Sequence, residues 1–345
     1  MIESSLSPSE PVMLPGRPSG RVARSVLGYA IAIALMSVTI AVFVPAALFH
    51  CAIRNGRRAA WAAAGVALVL CAGYAAALAA KTPASQAVVW VSVVGAFLTI
   101  ALPALAALPL VERGESFGRV LVFLLAGSIA GLALTEAGAR TALAFSPYEA
   151  AIQQTKASNE QVIQLYRANK APAEAIHVLQ KASAYHLFVL PGSMLCILSL
   201  IFILSLMMLG RLPAWQNWVA RRGDPALSGV YFFRNLALPE WLLFAFILGG
   251  LTPIATGLVQ KLAANALVVV VMLYVLQGLA IFRFMLVAMN ASVSGTLLAW
   301  MLLGFLTLAW FIGPLLLGVA GLFDPFFDFR HYKKRKDDSH ESHSD

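Results

Sequence analysis

The chemistry open to this sequence rests on a few polar side chains inside long apolar runs. Glu136 and Arg140 lie four residues apart in one such run. On a helix that spacing puts both on one face, with the acid N-terminal to the base. They can form a structural ion pair, serve a proton or solute site, or snorkel to the nearby end of the run. Arg283 sits late in another run, with Gln277 one and a half turns earlier. An arginine there either snorkels or needs an internal partner, for which Glu240 or an anionic ligand would serve. Gln277 reads as an interhelical hydrogen bond and Asn265 as a helix cap. Gly249, Gly250 and Pro253 interrupt a further run, with Thr252 and Thr256 beside the break. Such a break is either a plain kink or the wall of a solute site near the membrane midplane. The solute-binding candidates are therefore Arg283, Gln277, Glu240, Thr252 and Thr256.

Catalytic arrangements are thin. His177 and His186 fall in a polar segment, His50 borders the first apolar run, and His331, His340 and His343 fall near the C-terminal end. No HExxH, GxSxG, phosphate-loop or CxxC pattern occurs. Cys51, Cys71 and Cys196 are odd in number and lack ligand spacing, so they read as small apolar residues. His340, Glu341, His343 and Asp345 read as a solvated end. Asp324 and Asp328 flank Pro325-Phe326-Phe327 and can pair with Arg330 or Lys333 at the interface. The expectation is a chain with no catalytic residues, no metal and no cofactor, and not an enzyme.

The elements that hold these residues must be membrane helices. Hydrophobic residues make up 60% of the 345, charged residues 12%, and mean hydropathy is +0.80. Soluble domains carry about 25% charged residues, so this chain could not cover a water-facing surface. Eight runs approach the roughly 20 residues needed to span hydrocarbon: 26–49, 59–80, 86–110, 117–140, 187–210, 239–258, 262–288 and 296–322. The ten-residue alternation of a β-barrel is absent. The fold class is an all-α, polytopic transmembrane helix bundle of about eight spans. The first run is too long for a signal-peptide core and is expected to stay as an anchor.

Residues 1–23, rich in Ser, Pro and Gly, read as a disordered lead, and 331–345 as a charged, disordered tail. Between them, 24–145 hold helices one to four and 187–330 hold helices five to eight. Residues 146–186 read as a polar helical hairpin. Ser146, Pro147 and Glu149 form a capping-box start, and Pro172 divides two apolar stripes: Ile152, Thr155, Val162, Ile163 and Tyr166, then Ala175, Val178, Leu179, Ala182 and Tyr185. Trp215, Trp218, Arg221 and Arg222 suggest a short interfacial helix. Net charge is +9, with basic residues placed beside the apolar runs. That points to the lipid bilayer and its anionic headgroups as partner, not to nucleic acid. Eight crossings put both termini on one side, which carries 14 Lys and Arg against nine opposite. Both termini are therefore expected to be cytoplasmic.

Residues 231–330 carry a series of fragments: Phe233-Arg234-Asn235-Leu236, Leu238-Pro239-Glu240-Trp241, Asn265-Ala266-Leu267, Leu273-Tyr274-Val275-Leu276-Gln277-Gly278-Leu279-Ala280, Gly321-Leu322-Phe323-Asp324 and Asp328-Phe329-Arg330. In order and spacing these resemble the DUF2232 or YybS-like family of bacterial membrane proteins. The motif residues so implied are Arg234, Pro239, Trp241, Asn265, Tyr274, Gly278, Asp324, Asp328 and Arg330. The resemblance implies a multi-pass protein of the bacterial plasma (inner) membrane. It also implies distant similarity to the substrate-binding subunits of energy-coupling-factor transporters, and hence a small-molecule solute and a membrane-protein partner. In that group an Ala-rich face of the first helix meets the coupling partner, and Ala30 and Ala34 give such a spacing here. Those subunits have six helices, against eight runs and a long central loop here. The alternative reading is a non-transport membrane scaffold or regulator acting through the 146–186 hairpin.

Overall fold

The computed structural model describes residues 19–39, 41–81, 86–310 and 312–327, and every regular element among them is helical. Lipid offers backbone groups no partner, so an apolar chain must close its hydrogen bonds within each segment. In chain order the helices begin with α1 (Ser19–Thr39), α2 (Val44–Asn55), α3 (Arg57–Lys81), α4 (Gln86–Ala96), α5 (Leu102–Arg113) and α6 (Phe117–Leu143). Then come α7 (Pro147–Ala168), α8 (Ala173–Phe188), α9 (Leu190–Arg211) and α10 (Pro213–Arg222). The last are α11 (Leu242–Gly249), α12 (Gly257–Ala288), α13 (Val293–Trp310) and α14 (Ile312–Phe327).

Five of the eight apolar runs are continuous rods long enough to cross: α3, the α4–α5 rod, α6, α9 and α12. π-helical Phe97–Ala101 joins α4 to α5. Its wider turn disturbs the backbone ladder, and the neighbouring helix meets the exposed carbonyl. Ser128 of α6, fully buried, donates to the Thr99 carbonyl at 2.6 Å.

Side-chain contacts sort the helix ends into two membrane faces. On one, Arg57 at the start of α3 pairs with Glu112 at the end of α5. Arg222 of α10 donates to the Glu112 carbonyl at 2.6 Å. On the other, Lys261 lies 5.2 Å from the Tyr148 ring centre, and Asn265 donates to the Phe188 carbonyl at 3.2 Å. The α7–α8 hairpin rises from this second face. We call the two the arginine side and the hairpin side.

The other three runs do not form single continuous helices among the described residues. Residues 26–49 fold back on themselves. Asn55 donates to Ser25 Oγ at 3.1 Å, and Tyr29 and His50 share a hydrogen bond of 3.0 Å, so α1 and α2 are antiparallel. Both open toward the arginine side. From Ser25 to the tip is about 21 Å at 1.5 Å per residue, short of the ~30 Å hydrocarbon. Run 239–258 holds only the eight residues of α11, followed by turns through Ile254. Run 296–322 is split into α13 and α14, bent by 110°.

Alpha-14 lies antiparallel on α12 at very close range. A Cβ on Gly278 would stand 1.9 Å from the Leu317 carbonyl oxygen, and one on Gly321 would stand 2.0 Å from that of Tyr274. Small residues let helices in lipid approach closely enough to gain packing. The first described residues thus open on the arginine side, while α14 runs toward the hairpin side. The first run therefore turns back before crossing, so it does not supply one of the eight crossings on which the shared-face expectation rests. The core common to α2, α5, α6 and α9 is built from fully buried side chains such as Leu48, Phe49, Leu108, Leu124, Phe202 and Leu206.

Candidate functional site

The polar group buried most deeply among the solute-binding candidates is Gln277, at 1% exposure. Its Nε2 donates to Asp324 Oδ2 of α14 at 2.9 Å. Its Oε1 accepts the backbone N–H of Leu238 at 3.1 Å. The segment before α11 is irregular, and a buried backbone donor without a partner is costly. Gln277 supplies that partner and ties the segment, α12 and α14 at one point. Asp324 is itself buried. Sequence reading took Gln277 as an interhelical bond or a ligand; in the structure both ends of its amide are engaged by the protein.

The remaining solute candidates do not join it. Arg283 is exposed and forms no ion pair among the described residues. Gly192 and Cys196 of α9 meet Asn265 and Val268 of α12, so the two helices run parallel. Arg283 lies 18 residues beyond Asn265, about 27 Å along the axis, which puts it level with the arginine-side end of α9. Snorkelling is the geometry that results. Glu240 is exposed and makes no ion pair with Arg283. Thr252 donates to the Gly249 carbonyl at 2.5 Å, finishing the end of α11, while Thr256 is exposed before α12. The groove beside the break, about 530 Å³, is lined by apolar residues including Leu248, Ile254, Val259 and Leu262, and by none of the five candidates.

Glu136 and Arg140 do form the ion pair, with Arg140 Nε 2.5 Å from Glu136 Oε1. The pair reaches further than its spacing implies. Glu136 Oε1 also accepts Ser146 Oγ at 2.6 Å, and Oε2 accepts the Tyr148 backbone N–H at 3.0 Å. Ser146 caps α7 by accepting from Glu149 N at 3.1 Å. The Glu149 carboxylate turns to Arg140 Nη2 at 3.3 Å, not back to its own cap. A carboxylate on α6 therefore stabilises the exposed N–H groups and positive dipole end of α7, fixing the hairpin's base.

Above that base the hairpin stands almost alone. Neither α7 nor α8 contains a buried residue. Asn159 donates to Ser183 Oγ at 2.8 Å across it, and Ile163 and Leu179 face a shared groove. Val162, Tyr166, Val178 and Tyr185 of the two stripes are exposed, together with Leu165 at 60%.

The family-like residues have mixed roles. Asn265 is not a cap: α12 begins two turns earlier, and Asn265 Oδ1 accepts the Gly192 N–H at 2.6 Å. Tyr274 and Gly278 lie in the α12–α14 contact, and Pro239 is half-buried beside Leu238. Arg234 stands 5.6 Å from the Phe232 ring centre, and Trp241 is exposed. Asp328 and Arg330 lie outside the described residues. Ala30 is fully buried inside the bundle, so it is not an open face for a coupling partner.

Sequence reading missed two features. The interfacial helix α10 exists, but Trp215 is fully buried, stacked at 4.9 Å on Trp218 and 5.1 Å from Tyr231, with Arg222 over Trp218 at 4.3 Å. The density of aromatic residues on either side of 224 was the available signal. The second is a cavity of about 310 Å³ between α1, α3 and the α4–α5 rod. It had no sequence signal, because its walls come from segments of ordinary apolar composition.

The family described as "Predicted membrane protein (DUF2232)" matches residues 23–325, well beyond the 231–330 segment that carries the recognisable fragments. Neither a curated protein nor a solved structure matches. Five apolar crossing helices and a match over most of its length make this chain a multi-pass membrane protein of the DUF2232 family.

Proposed function

We propose that this protein acts as a membrane scaffold or regulator that presents the α7–α8 hairpin to a protein partner, without catalysing a reaction. The observation that carries this reading is a 42-residue hairpin, Pro147–Phe188, in which no helix residue is buried although its base is fixed by four polar side chains. Exposed Leu165, Tyr166, Val178 and Tyr185 give it an apolar surface that the other described residues do not cover. Apolar patches of this kind favour protein or membrane contacts. A photo-crosslinking amino acid at position 165 or 178, in native membranes, tests it. The reading expects a discrete protein adduct at both positions and none at Lys156. Lipid adducts alone would refute it.

A solute-binding or transport-related role has one observation in its favour. The interrupted α11 segment opens beside the 530 Å³ groove, and broken helices line substrate sites in transporters. The apolar lining points that role to an apolar solute. The family resemblance supports placing the protein in the inner membrane of a bacterium. Fractionation with an epitope at either end would give both location and orientation.

A further inference from the structure

The cavity in the N-terminal half is what the turned-back first run leaves behind. Alpha-1 and α2 enter from the arginine side and stop at a tip around Ala41 and Val44, which closes one end of the cavity. Beyond the tip, α3 and the α4–α5 rod continue toward the hairpin side, with no third helix among the described lining residues there. The lining of α3 runs from Ala67 to Leu78, about 16 Å at 1.5 Å per residue. That is close to half of the ~30 Å hydrocarbon thickness. The cavity therefore occupies the depth of one leaflet, on the hairpin side.

Its chemistry selects the occupant. Among the described residues no charged side chain lines it. Ser37 Oγ already donates to the Ile33 carbonyl at 2.8 Å, and Ser92 Oγ to that of Val88 at 2.7 Å. Cys71 Sγ lies 3.8 Å from the Ala34 carbonyl oxygen. Buried water needs two to four polar partners, and the two serine protons are already committed to carbonyls of their own helix, which leaves few polar groups in a lining that is mostly aliphatic and aromatic. A void of about 310 Å³ left empty would forfeit the dispersion contacts of every residue around it. Tyr74 is half exposed at the wall, so the cavity communicates with the surrounding lipid. From the void's depth, its largely apolar lining and its lateral opening, we infer that it is a binding site for one hydrocarbon chain of a lipid in the hairpin-side leaflet. The chain lies against Cys71, Phe97 and Ile100, its methyl end at the α1–α2 tip.

The full chain, reconstituted in phosphatidylethanolamine–phosphatidylglycerol vesicles, can be irradiated with a phosphatidylcholine that carries a diazirine midway along one acyl chain. Adducts located by mass spectrometry should fall on Cys71, Tyr74 and Phe97. Ala96→Phe fills the cavity from α4 and should reduce these adducts at least fivefold. Adducts at Val69 and Leu70, large exposed residues of α3 outside the lining, should not change. Ala67→Leu fills it from α3 and serves if Ala96→Phe does not give monodisperse protein. Labelling of Cys71, Tyr74 and Phe97 that matches Val69 and Leu70 in both wild type and the filled variant would overturn the inference.

Discussion

Replacing Gln277 with Leu tests whether this residue holds the fold or a ligand. The substitution keeps much of the volume and removes both amide contacts. Leu238 N–H then loses its acceptor at 3.1 Å, and Asp324 Oδ2 loses its donor at 2.9 Å. A stranded buried polar group costs about 1–3 kcal/mol, and the Leu238 N–H becomes one. Interhelical hydrogen bonds measured in a membrane average only about 0.6 kcal/mol, because the unfolded chain in lipid finds partners too. The Leu238 N–H belongs to an irregular segment with no helical carbonyl to accept it, so we expect a loss of about 2–3 kcal/mol. Unfolding by a denaturing detergent in mixed micelles, followed by tryptophan fluorescence, would measure it. Arg283→Ala, at an exposed position, should change the same midpoint by less than about 0.5 kcal/mol. The argument fails if Gln277→Leu is as stable as wild type, or if Arg283→Ala is the more damaging. A stability-neutral Gln277→Leu that abolished a ligand-induced shift would return Gln277 to the solute site.

Other substitutions probe the remaining contacts. Gly278→Ala and Gly321→Ala should each prevent the close α12–α14 approach and cost at least 1–3 kcal/mol, whereas Gly28→Ala, with nothing within 4 Å, should be neutral in the same unfolding assay. Glu136→Gln should leave the bundle intact but loosen the hairpin, seen as faster amide exchange at Tyr148 and Glu149. Ser128→Ala should cost about 1 kcal/mol by leaving the Thr99 carbonyl without its donor, while Ser92→Ala, on an exposed helix face, should cost little. Burial holds the Tyr231 phenol well above its usual range. Because the folded value is raised, this contribution is complete below about pH 10, the unfolded value, and is lost as pH rises further. Tyr231→Phe should therefore flatten the alkaline fall in stability.

Much of the bundle is legible from composition. Runs 59–80, 86–110, 117–140, 187–210 and 262–288 are continuous rods because each can satisfy its backbone within itself. The hairpin is equally legible, since Ser146, Pro147, Glu149 and Pro172 mark its ends by local chemistry. Glu136 and Arg140 pair as their spacing demands. Runs 26–49, 239–258 and 296–322 have the same apolar character, yet none is a single continuous helix among the described residues. Hydropathy measures only whether a segment tolerates lipid. Whether it traverses depends on partners distant in sequence, such as Asn55 for Ser25 and Phe246 for Tyr274.

The same division governs the polar groups. Sequence alone established the solvent in which this protein lives, the helical answer to it, and the few polar residues that must find partners there. It also held enough ordered fragments to indicate the family. Tertiary structure decided which partners they found. Gln277 meets Asp324 across 47 residues and Leu238 across 39, while Arg283 meets no ion-pair partner among the described residues. Pairings at that separation leave no local periodicity to read. They arise from which helix faces come together, and the glycines at 278 and 321 set how close two of those faces come.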